Sequence, residues 1–65
     1  MDRDRFISVV MPAHNEEKTI AAAISSVLDQ RPAGARVEVI VVDDGSSDGT
    51  GEIARRSGAR VVRHP

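Results

Sequence analysis

The chain has 65 residues, nine basic and ten acidic side chains, one phenylalanine as its sole Phe, Tyr or Trp residue, and no cysteine. A chain of this length forms one small domain at most, and its balanced charge offers neither a basic stripe nor a stacking platform for nucleic acid. Disulfides and thiolate metal sites are excluded, and no apolar run approaches the roughly 18 residues of a membrane span.

The first predicted strand is residues 6–11, an apolar run that Pro12 ends because proline cannot donate to a sheet ladder. A helix is predicted over about residues 17–30, where apolar side chains recur at helical spacing. Asn15 is predicted as its N-cap, and the two glutamates that follow place negative charge where the helix dipole favours it. The charged residues 1–5 lack the apolar core of a signal peptide, so we predict a cytoplasmic protein.

The second predicted strand, residues 37–42, is a continuous run of mostly β-branched residues. Such runs are typical of strands buried on both faces of a parallel sheet. The run stops abruptly at two adjacent carboxylates, Asp43 and Asp44. In open α/β sheets ligands bind beyond the carboxyl ends of the strands, so these two residues lie where such a protein does its chemistry.

A second, shorter helix is predicted over about residues 49–57, with Asp48 as its N-cap and Gly58 at its C-terminal cap. Residues 59–63 alternate enough to form a third strand, and we assign no role to His64 after it.

The order β-α-β-α-β predicts the α/β class with a parallel sheet, because crossover connections between parallel strands are right-handed. The loop after the first strand and the two aspartates then lie at the same end of neighbouring strands and form one rim. A complete doubly wound enzyme needs more residues than this. We therefore expect residues 1–65 to be the N-terminal fragment of a longer domain.

The acidic turn, which we define as residues 43–49, suggests three kinds of site. An EF-hand calcium loop requires a bidentate Glu at its twelfth position, which here is Arg55. A dinucleotide site requires a G-x-G-x-x-G loop after the first strand, where this chain has Pro-Ala-His-Asn. The third kind is a mononucleotide or sugar-nucleotide site, in which carboxylates accept hydrogen bonds from base N–H and ribose hydroxyl groups.

Two segments, Ile7–Glu17 (ISVVMPAHNEE) and Val41–Thr50 (VVDDGSSDGT), closely resemble the N-terminal part of family 2 glycosyltransferases. The resemblance covers nearly the whole chain and implies the Rossmann-like start of a GT-A fold. It also implies an enzyme that transfers a sugar from a UDP- or GDP-sugar to an acceptor, with this chain as the nucleotide-binding part and inactive alone. A lipid phosphate and a glycan both stay open as the acceptor, and so does membrane association of the full-length protein.

The resemblance implies nucleotide contacts for the first loop. Pro12 and Ala13 would touch the base or ribose, and Glu16 would reach the same groups. His14 takes a position that is often held by a tyrosine that packs against the nucleotide, and an imidazole stacks there more weakly.

The resemblance also divides the second segment between binding and support. It implies that Val42 contributes a backbone or apolar contact and that Asp44 accepts a hydrogen bond from the base. By the same likeness, Asp43 ties down the turn. Gly45 and Asp48 are read as turn residues as well, because glycine supplies unusual backbone angles and short polar side chains bond local backbone readily.

The resemblance further implies a divalent metal, Mg²⁺ or Mn²⁺, in the full-length enzyme, with its ligands outside this chain. We assign no residue here to catalysis or to metal binding. Two alternative functions stay open. One is a non-catalytic nucleotide-binding or interaction module of the same fold. The other is a nucleotidyltransferase, although that class would require a Gly-rich, basic loop that Pro12–Glu17 does not provide.

Overall fold

In the computed structural model, which describes residues 5–65, three strands alternate with two helices. The strands form one parallel sheet in the order β1-β2-β3. The predicted α/β class and the β-α-β-α-β arrangement are confirmed, while residues 1–4 of the charged N-terminal segment lie outside the described residues. The elements in chain order are β1 (Arg5–Ala13), α1 (Ile20–Asp29), β2 (Ala35–Asp44), α2 (Thr50–Arg56) and β3 (Arg60–His64).

Both helices cover the same face of the sheet. The chain crosses the sheet in one direction, from β1 to β2 to β3, so two right-handed crossovers bring both helices to one side. Beneath them lies a core that includes Val39 and Val41 of β2, Ile20 and Ile24 of α1, and Ala54 of α2. The expectation that β2 is buried on both faces is therefore wrong for residues 5–65, because the even-numbered side chains of β2 face outward and remain partly exposed.

All three strands extend beyond their predicted C-terminal ends, β3 by one residue, to His64. β1 continues through Pro12 to Ala13, and Pro12 pairs with Val42. Proline is accommodated because β1 lies at an edge of the sheet that the described residues form, where alternate N–H groups face away from the ladder. β2 continues to Asp44, so the two aspartates end the strand itself. Successive side chains of a strand point to opposite faces, and Asp43 and Asp44 are separated in this way.

α1 begins at Ile20, later than predicted, and Asn15 is not its N-cap. Instead, Asn15 has a φ of 52°, a left-handed conformation that Asn adopts more readily than most residues. The C=O of Glu16 accepts hydrogen bonds from the N–H groups of Thr19 at 3.1 Å and Ile20 at 2.9 Å, so a turn leads into the helix. The polar side chains before this turn bond to the acidic turn instead of to α1. No helix among residues 5–65 combines the length and the apolar character needed to cross a membrane.

α2 ends in a Schellman motif at the glycine predicted for its cap. Gly58 has a φ of 102°, and its N–H donates to the C=O of Arg55 at 3.1 Å. The N–H of Ala59 donates to the C=O of Ala54 at the same distance, which completes the two bonds of the motif. Glycine is required here because the left-handed conformation crowds a Cβ against the backbone.

Replacing Gly58 with alanine is expected to lower the free energy of unfolding by about 1–2 kcal/mol, the cost of a left-handed residue that carries a Cβ. A Cβ at this position would meet only Leu28 Cδ1 among its described neighbours, at an ordinary 3.8 Å, so the cost comes from the residue's own backbone and not from a clash with a neighbour. Gly58→Asn is the matched control and should lose less, since Asn tolerates positive φ. Chemical denaturation measures both variants. Equal stability of Gly58→Ala and wild type would contradict the assignment.

Candidate functional site

The carboxyl ends of the three strands bring most of the predicted nucleotide-binding residues to one rim. The register pairs Pro12 with Val42 and Asp44 with His64. All four occupy even-numbered positions and therefore lie on the open face of the sheet, opposite the helices. The rim is thus built from side chains of three different strands.

Ala13 and Asp43 are paired in register on the opposite, helix-covered face. They are 3% and 1% exposed, respectively. The Ala13 side chain therefore cannot reach a ligand on the open face, and a nucleotide contact by this residue has to be made through its backbone. Asp43 is likewise inside the fold and unavailable to a ligand.

Asp43 is bonded to the turn that follows it. Its Oδ1 accepts a hydrogen bond from the N–H of Ser46 at 3.1 Å, while its buried Oδ2 has no hydrogen-bond partner among the described residues. Gly51 of α2 lies so near that a Cβ there would be 3.0 Å from Oδ2. The helix can approach the carboxylate this closely because position 51 has no side chain.

The Ser46 side chain is the main cause that holds the pKa of Asp43 below its ordinary value. Burial raises the pKa in opposition, while the Ser46 N–H and the positive charge of Arg63 lower it. Arg63 also donates from Nη2 to the C=O of Ser46 at 3.3 Å. Asp43 is therefore an ionised carboxylate that supports the acidic turn from within the fold.

Residues 14–19, which connect β1 to α1, are tied to residues 44–50 by hydrogen bonds that we name the clasp. Asn15 is its centre. The N–H of Asn15 donates to Ser46 Oγ at 2.9 Å, and Asn15 Oδ1 accepts from the N–H of Ser47, also at 2.9 Å. These bonds explain why Asn15 does not cap α1, since its side-chain oxygen is used across the rim.

Further bonds of the clasp run between the start of α1 and the start of α2. Glu17 Oε1 accepts from the N–H of Gly49 at 2.9 Å, and the N–H of Glu17 donates to Asp48 Oδ2 at 3.3 Å. The N–H of Glu16 donates to Thr50 Oγ1 at 2.7 Å. The two loops are thereby fixed to each other although they are far apart in the sequence.

The prediction that Asp48 is the N-cap of α2 is wrong by one residue, because the N-cap is Gly49 and Asp48 precedes it. Asp48 nevertheless supports the start of the helix. Asp48 Oδ1 accepts from the N–H of Thr50 at 3.0 Å and also from the Thr50 hydroxyl. That hydroxyl is the main cause that lowers the pKa of Asp48. Gly45, with a φ of 69°, supplies the left-handed residue that turns the chain after β2.

Asp44 lies between the two histidines of the chain. His14 Nδ1 is 2.7 Å from the backbone oxygen of Asp44, and His64 Nδ1 is 3.1 Å from Asp44 Oδ1. The Asp44 side chain is 69% exposed, so its carboxylate faces solvent at the rim. Glu16 is also at the rim, where its Oε1 accepts from the N–H of His14 at 3.1 Å.

A shallow depression lies beside the clasp, and several residues of the clasp line it. Of the residues predicted to bind a nucleotide, it includes only Glu16. Because several of its side chains are carboxylates, a diphosphate would be repelled there. The residues that line it are Asn15, Glu16, Glu17, Lys18, Thr19 and Asp48.

The residues from 5 to 65 do not fit a metal ion. No group of three or more His, Asp or Glu side chains in this range is placed to hold one. Asp43 and Asp44 are adjacent in sequence but lie on opposite faces of the sheet, so they do not form a ligand pair. No metal-dependent step is therefore assigned to the described residues.

Several residues with roles at the rim are not among the site residues predicted from the sequence. His64 bonds to Asp44, Arg63 supports the turn after Asp43, and Thr50 joins the clasp. The roles of His64 and Arg63 could have been predicted from the third strand, because in parallel register residues 63 and 64 lie opposite residues 43 and 44. Thr50 gave no such signal, because its partner is a backbone group of a distant loop.

The fold and the rim define a parallel α/β domain with a polar, ligand-accessible edge at the carboxyl ends of its strands. The profile of the family described as "Glycosyl transferase family 2" matches residues 8–65. The chain belongs to glycosyl transferase family 2, and the family predicted from its two motifs is confirmed.

Relatives of known name support this membership. The 4,4'-diaponeurosporenoate glycosyltransferase of Staphylococcus haemolyticus is 51% identical over 55 residues, which make up 85% of this chain and 14% of that protein. Glycosyltransferase AglE of Haloferax volcanii is 45% identical over 51 residues, or 78% of this chain and 17% of that protein. The chain therefore spans less than one fifth of the length of either relative.

Solved structures show the same arrangement. Glucosyl-3-phosphoglycerate synthase from Mycobacterium tuberculosis in complex with UDP matches with a TM-score of 0.75 and 47% identity, over 91% of this chain and 21% of that one. The same enzyme with Mn²⁺, UDP and phosphoglyceric acid gives a TM-score of 0.75 and 49% identity, over 91% of this chain and 20% of that one. The predicted GT-A fold is confirmed by these neighbours.

Proposed function

We propose that this chain is the donor-nucleotide-binding part of a glycosyltransferase that transfers a sugar from a nucleotide-diphosphate donor to an acceptor. In this proposal Pro12, His14, Glu16, Val42 and Asp44 contact the nucleotide, Ala13 does so through its backbone, and the chain alone is inactive. The finer assignments are a UDP- or GDP-sugar as donor, a lipid phosphate or a glycan as acceptor, and a cytoplasmic location.

The observation that carries the proposal is the position of Asp44. Its exposed carboxylate lies on the open face of the sheet, as Pro12 and Val42 do, and its backbone oxygen lies 2.7 Å from Nδ1 of the His14 ring. A flat, partly apolar base needs such surroundings, and a carboxylate, which accepts but does not donate, suits a base edge that presents N–H donors. Uracil and guanine both present a ring N–H. The UDP complexes of the mycobacterial relative support the choice of nucleotide.

The proposed chemistry is inversion at the anomeric carbon of the sugar. An acceptor oxygen attacks that carbon, either a hydroxyl of a glycan or a phosphate oxygen of a lipid phosphate, the bond to the diphosphate breaks, and the nucleoside diphosphate leaves with the electron pair. A hydroxyl acceptor passes its proton to a base that is not among the described residues. The described residues bind and orient the nucleotide. A divalent cation held by residues outside this chain would offset the diphosphate charge.

Calorimetric titration of the protein with UDP, GDP and ADP tests the proposal. We expect UDP or GDP to bind more tightly than ADP, because the ring nitrogen on the pairing edge of adenine accepts a hydrogen bond, whereas the ring N–H of uracil or guanine donates one to the carboxylate. Lys18→Ala is the matched control: Lys18 lines the depression and is not among the residues proposed to contact the nucleotide, so its loss should leave the affinity unchanged. Absence of binding for both UDP and GDP, or equal binding of ADP, would overturn the proposal.

A further inference from the structure

We infer that Asn15 is a positioning residue that fixes His14 as the neutral Nδ1–H tautomer and holds its ring against the backbone oxygen of Asp44. The inference rests on the proposed function where it concerns the nucleotide, since His14 is proposed to pack against the base. The tautomer itself can be measured without any ligand.

The orientation of the Asn15 amide follows from a backbone partner. The N–H of Ser47 is only a donor, so the atom of Asn15 that lies 2.9 Å from it has to be the oxygen. The other end of the amide is therefore the NH₂ group. That group lies 3.3 Å from His14 Nε2. Because an amide NH₂ only donates, Nε2 has to accept and carries no proton.

The other ring nitrogen is fixed by a second backbone group. His14 Nδ1 lies 2.7 Å from the backbone oxygen of Asp44, and a carbonyl oxygen only accepts. Nδ1 therefore carries the proton. Two independent backbone groups thus select the same tautomer. The Ser47 N–H acts through the Asn15 amide, and the Asp44 C=O bonds to the ring directly. It is the less populated one for a histidine free in water, so the protein has to impose it.

The backbone of Asn15 shows that this arrangement is imposed. A φ of 52° is unfavourable for a residue with a side chain, and it persists only where the surroundings determine it. Here the N–H of Asn15 donates to Ser46 Oγ at 2.9 Å while its side chain spans from Ser47 to His14. The left-handed conformation lets the backbone N–H and the side chain of Asn15 both form hydrogen bonds with the acidic turn.

The consequence for the nucleotide is a ring that is already oriented. With Nδ1–H on the Asp44 backbone and Nε2 on Asn15, both edges of the imidazole are held, and a face remains for a base to pack against. The same bonds fix the distance between the His14 ring and Asp44. Asn15 thus acts on the base through His14, without touching it.

Nitrogen NMR of the ¹⁵N-labelled protein, without nucleotide and at about pH 8, where imidazole is ordinarily neutral, tests the inference. His64→Gln assigns the signals, since it removes the other histidine of the chain. We expect His14 to show a protonated Nδ1 and an unprotonated Nε2. An Nε2–H tautomer of His14 in the folded protein would overturn the inference.

Asn15→Asp is the diagnostic variant. It keeps an acceptor for Ser47 and tolerates positive φ, but it replaces the NH₂ donor with an oxygen, so His14 Nε2 should become protonated. Ser47→Ala is the matched control, because it removes only the hydroxyl bond to Asn15 Oδ1 and keeps the Ser47 N–H bond. The control should leave the tautomer as in wild type. An unchanged tautomer in Asn15→Asp would overturn the inference.

Asn15→Gly adds the link to binding. Glycine accepts the backbone conformation but removes all three side-chain bonds, including the one that holds the His14 ring. UDP should then bind roughly 2- to 10-fold more weakly, the effect of one neutral hydrogen bond. Unchanged affinity in Asn15→Gly would overturn the positioning role. If wild type shows the Nδ1–H tautomer but binds neither UDP nor GDP, the proposed function fails while the tautomer assignment stands.

Discussion

Asp43→Ala is expected to lower the free energy of unfolding by about 2–3 kcal/mol, the cost of losing a hydrogen bond to a charged group and leaving its donor unpaired. The carboxylate is 1% exposed and accepts from the N–H of Ser46, which is itself 4% exposed. Without Asp43 that N–H loses the acceptor it has among the described residues. This contact supports the acidic turn from within the sheet, on the side opposite to the bonds of the clasp.

Asp43→Asn is the matched control for charge. It keeps the shape and one oxygen acceptor, so it should be destabilised less than Asp43→Ala. Denaturant unfolding of the two variants and wild type gives the comparison. Wild-type stability of the alanine variant would show that the turn is held by other bonds.

The fall of the free energy of unfolding at acid pH gives a second test of the role of Asp43. Its pKa is lower in the folded than in the unfolded protein, chiefly because of the Ser46 side chain, so the unfolded state binds more protons between the two values. The stabilisation is complete above the ordinary carboxyl pKa and is lost as the pH falls through the folded value. Asp43→Ala should make the free energy of unfolding less dependent on pH in the acid range. The pH dependence that is left comes from Asp48, whose pKa is lowered chiefly by the Thr50 side chain.

Asp44→Asn should weaken nucleotide binding by more than Asn15→Gly does. If the carboxylate accepts from the base, exchanging one oxygen for an NH₂ group removes a hydrogen bond to a charged group. The expected cost is on the order of 1.5–3 kcal/mol, which corresponds to roughly 10- to 150-fold weaker binding. The loss should appear with the nucleoside diphosphate alone, because the contact is to the base and not to the sugar.

Calorimetry and melting curves of Asp44→Asn distinguish binding from support. The Asp44 side chain is 69% exposed, and among residues 5–65 it pairs only with His64, which is 70% exposed. Exposed pairs of this kind contribute little to stability, so the variant should melt near the wild-type temperature. A variant that binds the nucleotide normally but melts early would mean that the roles of Asp43 and Asp44 are reversed.

The elements and their parallel order could be predicted from the sequence because the signals are local. The run Val37–Val42 and the helical spacing from Ile20 to Leu28 indicate a strand and an amphipathic helix without knowledge of their neighbours. The exposed second face of the sheet was not predicted, because it depends on both crossovers running in the same direction.

The site was predictable only where the motif itself carries it. Asn15 has the local features of an N-cap, yet its side chain bonds to Ser47, which is distant in sequence. His64 acquires a neighbour only through the register of β3 against β2. Such contacts depend on tertiary structure, and local propensity gives no information about them.

The structure of the protein bound to UDP is the most direct test of the nucleotide site. We expect the uracil to pack beside the His14 ring on the open face of the sheet, with its ring N–H within hydrogen-bond distance of the Asp44 carboxylate. Uracil bound instead in the depression beside Lys18, or at the rim without contact to Asp44, would contradict the proposed site.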